Sequence, residues 1–185
     1  MIWMFLKKGA LVVPDFNMDL DSLLISVVIP TRNRSLLLRR AMESVLNQKY
    51  DNIEVIIVDD ASEDGTSEVV ERYQKKFRRF KCIHNNKQCG GAGSRNIGIR
   101  AASGKYVSFL DDDDEWFPEK LVFQKDFLDE YPDVMAVSCW YIEDTDGKRT
   151  KVKKYAEISF KDMLWENFMG SFSFVMVRRE IFDKI

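Results

Sequence analysis

The run Tyr106-Val107-Ser108-Phe109-Leu110-Asp111-Asp112-Asp113-Asp114-Glu115 decides how this chain is read. Its first five residues are short, largely aromatic or branched, and fit a strand buried on both faces. The next five are all acidic. Carboxylates packed this closely repel one another, so the run asks for something cationic where the chain leaves the sheet.

Similar strands lie on the N-terminal side. Leu24–Ile29 is a β-branched run ended by Pro30, Glu54–Val58 runs into Asp59 and Asp60, and Phe80–His84 is a third short strand. Helical spacing separates them. Ser35 caps a helix carrying Leu37, Leu38, Ala41, Val45 and Leu46, and residues 66–78 place Val69, Val70, Tyr73 and Phe77 on one face. Residues 93–102 form a third helix, and a fourth runs from Pro118 to about Tyr131. Strand and helix in this alternation predict an α/β fold with a mainly parallel sheet and right-handed crossovers. Beyond residue 133, Val134–Ile142 reads as a longer strand, Asp144–Gly147 as a turn and Lys151–Tyr155 as its partner. No internal repeat or low-complexity linker interrupts the pattern.

The chain has 185 residues, of which 45% are hydrophobic and 31% charged, and its net charge is −2. That composition excludes disorder, collagen-like repeats and a disulfide scaffold, and the near-neutral balance argues against a nucleic-acid partner. Cys82, Cys89 and Cys139 form no CxxC pair, which suits a reduced, cytoplasmic setting. No stretch reaches the ~18 apolar residues that span a bilayer. Residues 1–23 read as an N-terminal extension, with Met18 a possible later start. The alternative is an interfacial segment laying Trp3 and Phe5 on a membrane, which would put the protein peripherally at the inner face.

Three strand ends deliver polar residues to one edge, where ligands bind in open parallel sheets. They are Pro30-Thr31-Arg32-Asn33-Arg34, Asp59-Asp60, and Asp111 through Glu115. The acidic run suits a hard divalent cation, Mg²⁺ or Mn²⁺, held by one or two carboxylates and substrate phosphates. The plainer reading is a solvated loop in which Asp114 or Glu115 caps the helix near Pro118. Gly90-Gly91-Ala92-Gly93-Ser94-Arg95 is either a phosphate cradle or a turn whose glycines allow close packing. Arg95 is a fixed cation in either case. His84 and the basic runs 72–81 and 148–154 read as structural or solvated. Trp116, Trp140 and Trp165 are sugar platforms or core residues.

SVVIPTRNR (26–34), EVIIVDDAS (54–62), GGAGSRNIGIRAASGKYVSFLDDDDEW (90–116) and Pro118 together resemble the inverting family 2 glycosyltransferases, which have the GT-A fold. The resemblance implies a Rossmann-like three-layer sandwich over residues 24–185, with the nucleotide-sugar half at 24–131 and an acceptor half at 132–185. It further implies a metal-dependent transfer from a nucleotide-diphosphate sugar to a sugar or lipid-linked acceptor. By position, Pro30, Thr31, Arg32 and Asp60 would hold the base, with Arg95 in support. Asp112 would face the ribose in a DxD-type motif and Asp113 would be the principal metal ligand, for Mn²⁺ or Mg²⁺, while Asp111 opens the motif and could share either role. Arg32 stands where the family often has an aromatic residue, and a guanidinium plane can stack in its place.

An inverting transferase also needs a general base, which in the family comes after a segment like Ser173–Ile185. Asp162, Glu166 and Asp183 read as helix surface, so the base is expected beyond Ile185 and the acceptor half is expected to be incomplete. The competing readings are a nucleotide-sugar-binding module without catalysis and a nucleotidyltransferase. The latter usually opens with a Gly-rich signature after its first strand, which TRNR is not.

Overall fold

The computed structural model describes residues 6–7, 10–11, 23–145, 148–152 and 170–184. Strands β1 (Leu6–Lys7) and β2 (Ala10–Leu11) form a short antiparallel pair. The alternating part follows as β3 (Ile25–Thr31), α1 (Ser35–Leu46), β4 (Ile53–Asp59), α2 (Thr66–Gln74), β5 (Arg79–His84), α3 (Gly90–Ala101), β6 (Tyr106–Phe109) and α4 (Lys120–Glu130). Then come β7 (Ala136–Val137), β8 (Tyr141–Thr145), β9 (Lys148–Val152) and β10 (Met176–Arg178), with 3₁₀ turns at Phe172–Phe174 and Arg179–Lys184.

The main sheet has the order β5-β4-β3-β6-β10-β7. Strands β3 to β6 are parallel, and β10 runs antiparallel to both its neighbours. All residues of β3, β4 and β6 are buried, which is why these runs are apolar without alternation. One face packs Leu38, Met42 and Val45 of α1, Val70 and Tyr73 of α2, and Leu121 and Leu128 of α4. The other carries α3 through Ile97 and Ile99, and the last 3₁₀ turn through Ile181 and Phe182. The expected three layers and mainly parallel sheet are therefore present. Helix α3 lies so close to β3 that a Cβ on Gly98 would sit 2.3 Å from Val28 Cγ1.

Several local expectations fail. Pro30 does not end its strand, since β3 continues to Thr31 with Pro30 opposite Val58. Its missing N–H points to the β6 side, where pairing has stopped at Val28 opposite Phe109, so no ladder bond is lost. Ser35 is the first residue of α1 rather than its cap, and its amide is satisfied by Asp64 Oδ2 at 3.0 Å. The long strand expected at Val134–Ile142 is two pieces in two sheets. Three-residue β10 offers β7 only two partners, and the chain then leaves to build the β8–β9 hairpin. The expected turn residues Asp146 and Gly147, and 153–155 of the partner strand, lie outside the described residues.

At the amino ends of the strands, a buried Glu54, 2% exposed, ties the α3–β6 connection to the sheet. Its Oε1 accepts from Ser26 Oγ, Ser103 N (2.6 Å), Ser103 Oγ (2.8 Å) and Gly104 N (3.1 Å), and Oε2 from Lys81 Nζ (3.1 Å). Burial pushes this carboxyl up, but the bonds from Ser26, Ser103 and Lys81 outweigh burial and hold it below the ordinary glutamate value. Glu54→Gln should therefore cost about 2–3 kcal/mol in urea unfolding at pH 7, because buried donors lose a charged acceptor. The Glu54 contribution is complete above its unfolded pKa, ~4.3, and fades as pH falls through the lower folded value. Wild type and variant should thus converge in acid; a constant gap down to pH 2 would refute the assignment.

Candidate active site

Because β3 pairs in register with both β4 and β6, their carboxyl ends finish side by side. The loops beyond are cross-tied. Asp60 N donates to Thr31 O (2.9 Å), Asn33 N to Ser62 Oγ (2.9 Å) and Glu63 N to Asn33 Oδ1 (2.7 Å). Asn33 and Ala61 both take left-handed backbone conformations, φ 51° and 59°. Asn tolerates this and Ala does not, at a cost of about 1 kcal/mol, so the ties hold a strained turn in place.

These ends enclose a cleft of about 450 Å³, within the usual range for small-molecule sites. Its wall takes Pro30, Thr31 and Arg32 from the end of β3, Asp60 from β4, Arg95 from α3, and Asp111, Asp112 and Asp113 from β6. The structure thus brings together every nucleotide- and metal-binding candidate named from sequence. Arg34 and Ser94, from the same strand end and glycine stretch, also line the cleft, and Gln88 does so without any signal in the sequence. A smaller cavity, about 210 Å³, lies at the opposite end of the sheet beside Lys105, Arg178, Arg179 and Glu180.

The acidic run meets its cations within the chain. Asp111 pairs with Arg95 Nη2 and accepts from Ser171 Oγ (3.2 Å), while its amide donates to Ser173 Oγ (2.9 Å). Asp112 accepts from Thr31 Oγ1 (2.8 Å) and Arg34 Nη1 (3.0 Å), and Asp113 accepts from the same Arg34 nitrogen (2.9 Å). Glu115 pairs with Arg40. Burial pushes the Asp112 and Asp114 carboxyls up, and hydrogen bonds from Thr31 and Arg34 to the first, and from Ser173 to the second, only partly offset it. Neither Asp114 nor Glu115 caps α4, which begins at Lys120 behind Glu119. Among the described residues no three His, Cys, Asp or Glu side chains converge on one point. Half-exposed Asp113 on the cleft wall instead suits a hard cation that takes one carboxylate and draws other ligands from a bound phosphate.

Asp60 is 4% exposed and anchors the start of α3. Its Oδ1 accepts from Asn85 Nδ2 (2.8 Å) and Cys89 N (2.9 Å), and its Oδ2 from Gly90 N (2.8 Å). Burial raises this carboxyl, but the bonds from Asn85, Cys89 and Gly90 prevail and bring it down to about 2. The helix therefore starts at Gly90 instead of 93, and its leading amides already hold an anion. The glycine stretch is thus not an open phosphate cradle, although Gly90 and Gly91 border the cleft. One lone-pair direction of Asp60 Oδ2 remains for a further donor. Arg95 is clamped between Asp111 and the Phe172 ring, 4.3 Å from its centroid. The segment that braces it, Ser171-Phe172-Ser173, belongs to no motif at a strand end, and nothing local in the sequence ties it to Arg95 or Asp111.

Other candidates resolve plainly. Trp116 is 8% exposed, donates Nε1–H to Ser173 O (2.8 Å) and lies under Lys120, so it is core and not a sugar platform. His84 is structural, with Nδ1 3.0 Å from Asp59 Oδ2. Asp183 follows β10, whose Arg178 pairs with Tyr106 at the start of β6, which puts it at the wrong end of the sheet for catalysis in the cleft. Asp162, Glu166 and Trp165 lie outside the described residues.

Residues 26–185 match the family described as Glycosyl transferase family 2. A GalNAc(5)-diNAcBac-PP-undecaprenol beta-1,3-glucosyltransferase of Campylobacter jejuni is 38% identical over 156 residues, 80% of this chain and 50% of that protein. Residues 1–349 of S. aureus TarS, solved with UDP-GlcNAc, superpose with TM-score 0.73 at 24% identity, over 88% of this chain and 47% of that one. A mannosyltransferase of Pyrobaculum calidifontis, solved with GDP-Man and Mn²⁺, gives TM-score 0.58 at 31% identity, over 62% of this chain and 34% of that one. The chain spans about half the length of the Campylobacter relative, and 18% and 63% of two others.

Asp60→Asn should lower stability by about 2 kcal/mol in chemical unfolding at pH 7, the scale of a lost helix cap with charged hydrogen bonds. With a folded value near 2 against ~3.9 unfolded, the Asp60 contribution is whole above pH 4 and is lost as pH falls toward 2. Equal stabilities at pH 7 would show that the carboxylate does not anchor α3.

Proposed function

Because the chain belongs to glycosyl transferase family 2, we propose that it binds a nucleotide-diphosphate sugar and serves the inverting transfer of that sugar to an acceptor hydroxyl. The observation that carries this reading is the single cleft lined by the ends of β3, β4 and β6 together with Arg95. Exposed Arg32 offers a guanidinium plane for the base to stack on, and Asp60 Oδ2 its remaining lone pair for a base N–H. Arg95, held under Phe172, fixes Asp111 at the ribose side next to Asp112. Asp113 is the ligand for Mn²⁺ or Mg²⁺, which when bound supplies Lewis-acid neutralisation of the leaving diphosphate. The Mn²⁺ in the Pyrobaculum mannosyltransferase structure supports that choice of ion class.

The undecaprenol-linked substrate in the name of the Campylobacter relative points to a lipid-linked acceptor and so to work at a membrane surface. No helix among the described residues is long and apolar enough to cross a membrane.

Calorimetric titration of UDP in Mn²⁺ and in EDTA tests the reading. Wild type should bind UDP about tenfold more tightly with Mn²⁺, a coupling within the ordinary range. Asp113→Asn should lose that increment and keep its melting temperature, because its exposed pair with Arg34 contributes only about 0–1 kcal/mol. An undiminished Mn²⁺ increment in Asp113→Asn would remove Asp113 from the metal site.

A further inference from the structure

Among the described residues three arginines meet the acidic run, and they differ in placement. Arg40 pairs with Glu115 away from the cleft wall. Arg95 is 16% exposed and covered by Phe172. Arg34 is 50% exposed, lines the cleft, and uses one nitrogen to bridge Asp112 Oδ1 at 3.0 Å and Asp113 Oδ2 at 2.9 Å.

That bridge takes one oxygen of each carboxylate, Oδ1 of Asp112 and Oδ2 of Asp113, and sets a fixed positive charge where a divalent cation would approach. Thr31 Oγ1 fixes the other oxygen of buried Asp112, so this carboxylate cannot turn away from the guanidinium. One positive charge at hydrogen-bond distance from both carboxylates also cancels much of the field that would draw in a free cation. A diphosphate alters the balance twice over. Its oxygens offer a guanidinium a bidentate partner, and they complete the shell of a hard cation that one carboxylate cannot satisfy.

We propose that Arg34 makes cation binding conditional on the nucleotide diphosphate. Before the nucleotide binds, it neutralises Asp112 and Asp113 and keeps free divalent cations off them; when the diphosphate enters, Arg34 transfers to its oxygens and releases Asp113. By linkage, the factor by which nucleotide tightens the cation equals the factor by which cation tightens the nucleotide. Arg34 is a specificity residue here, selecting the cation–diphosphate pair over either component. This assignment rests on the donor-and-cation reading of the cleft.

The test is Mn²⁺ titration of the full chain, followed by the electron paramagnetic resonance of free Mn²⁺, with and without saturating UDP. Without UDP, Arg34→Met should bind Mn²⁺ on the order of tenfold more tightly than wild type, and the tightening by UDP should shrink by a similar factor. Arg34→Lys keeps a charge without the planar bridge and should fall between; it also serves if the Met variant fails to fold. Arg40→Met, which removes a charge outside the cleft, should change Mn²⁺ affinity less than about threefold, as expected for a screened surface charge. Equal or weaker Mn²⁺ binding by Arg34→Met without UDP overturns the assignment, as does an equal gain in Arg40→Met. If wild type takes up no Mn²⁺ even with UDP, the donor-and-cation reading falls and takes this assignment with it. If wild type responds to UDP and Arg34→Met behaves identically, only the Arg34 assignment falls.

Discussion

Five consecutive carboxylates leave a buried strand at one point, and their mutual repulsion has to be met before the end of β6 can hold its shape. The chain meets it with guanidinium groups brought from separate elements: Arg34 after β3, Arg40 on α1 and Arg95 on α3. Each exposed pair is weak on its own in water. What fixes the arrangement is buried Asp112, whose desolvation is tolerable only because Thr31 and Arg34 both donate to it. The in-register pairing of β3 with β6 is what brings Thr31 within reach.

The same parallel register separates the two ends of the sheet by task. At the amino ends, Glu54 gathers Ser26, Ser103, Gly104 and Lys81 into a closed buried network that joins α3 to β6. Gly104 is required there, since a Cβ would lie 2.6 Å from Leu24 O. At the carboxyl ends the polar groups remain partly open to solvent, as with Asp113 and Arg34. A rigid base and an accessible rim are what a ligand site at strand ends needs.

Most of the fold was legible because apolar runs of strand length alternate with helical spacing between residues 24 and 131. The site was legible for the same reason: once Thr31, Asp60 and Asp111 are placed at the ends of parallel strands, their meeting follows from topology. What stayed hidden was partner choice across the fold. The sequence argues that the acidic run needs cations, but nothing local links Arg34 to Asp112, 78 positions away. Asp60 reads as a free carboxylate, whereas its contacts with Cys89 and Gly90, about 30 positions on, turn it into the cap of α3. Val134–Ile142 is apolar but for Ser138, so no periodicity marks where β7 leaves the sheet. Trp116 could not be assigned until its indole N–H was seen to reach Ser173 O.

The most direct test of the central claim, that the three strand ends form one nucleotide site, is amide chemical-shift mapping of the isotope-labelled chain. UDP should shift the amides of Thr31–Arg34, Asp60, Gln88–Arg95 and Asp111–Asp113 together. Trace Mn²⁺ should then broaden the signals nearest Asp113 most strongly. Shifts concentrated instead around Lys105 and Arg178–Glu180, at the opposite end of the sheet, would contradict it.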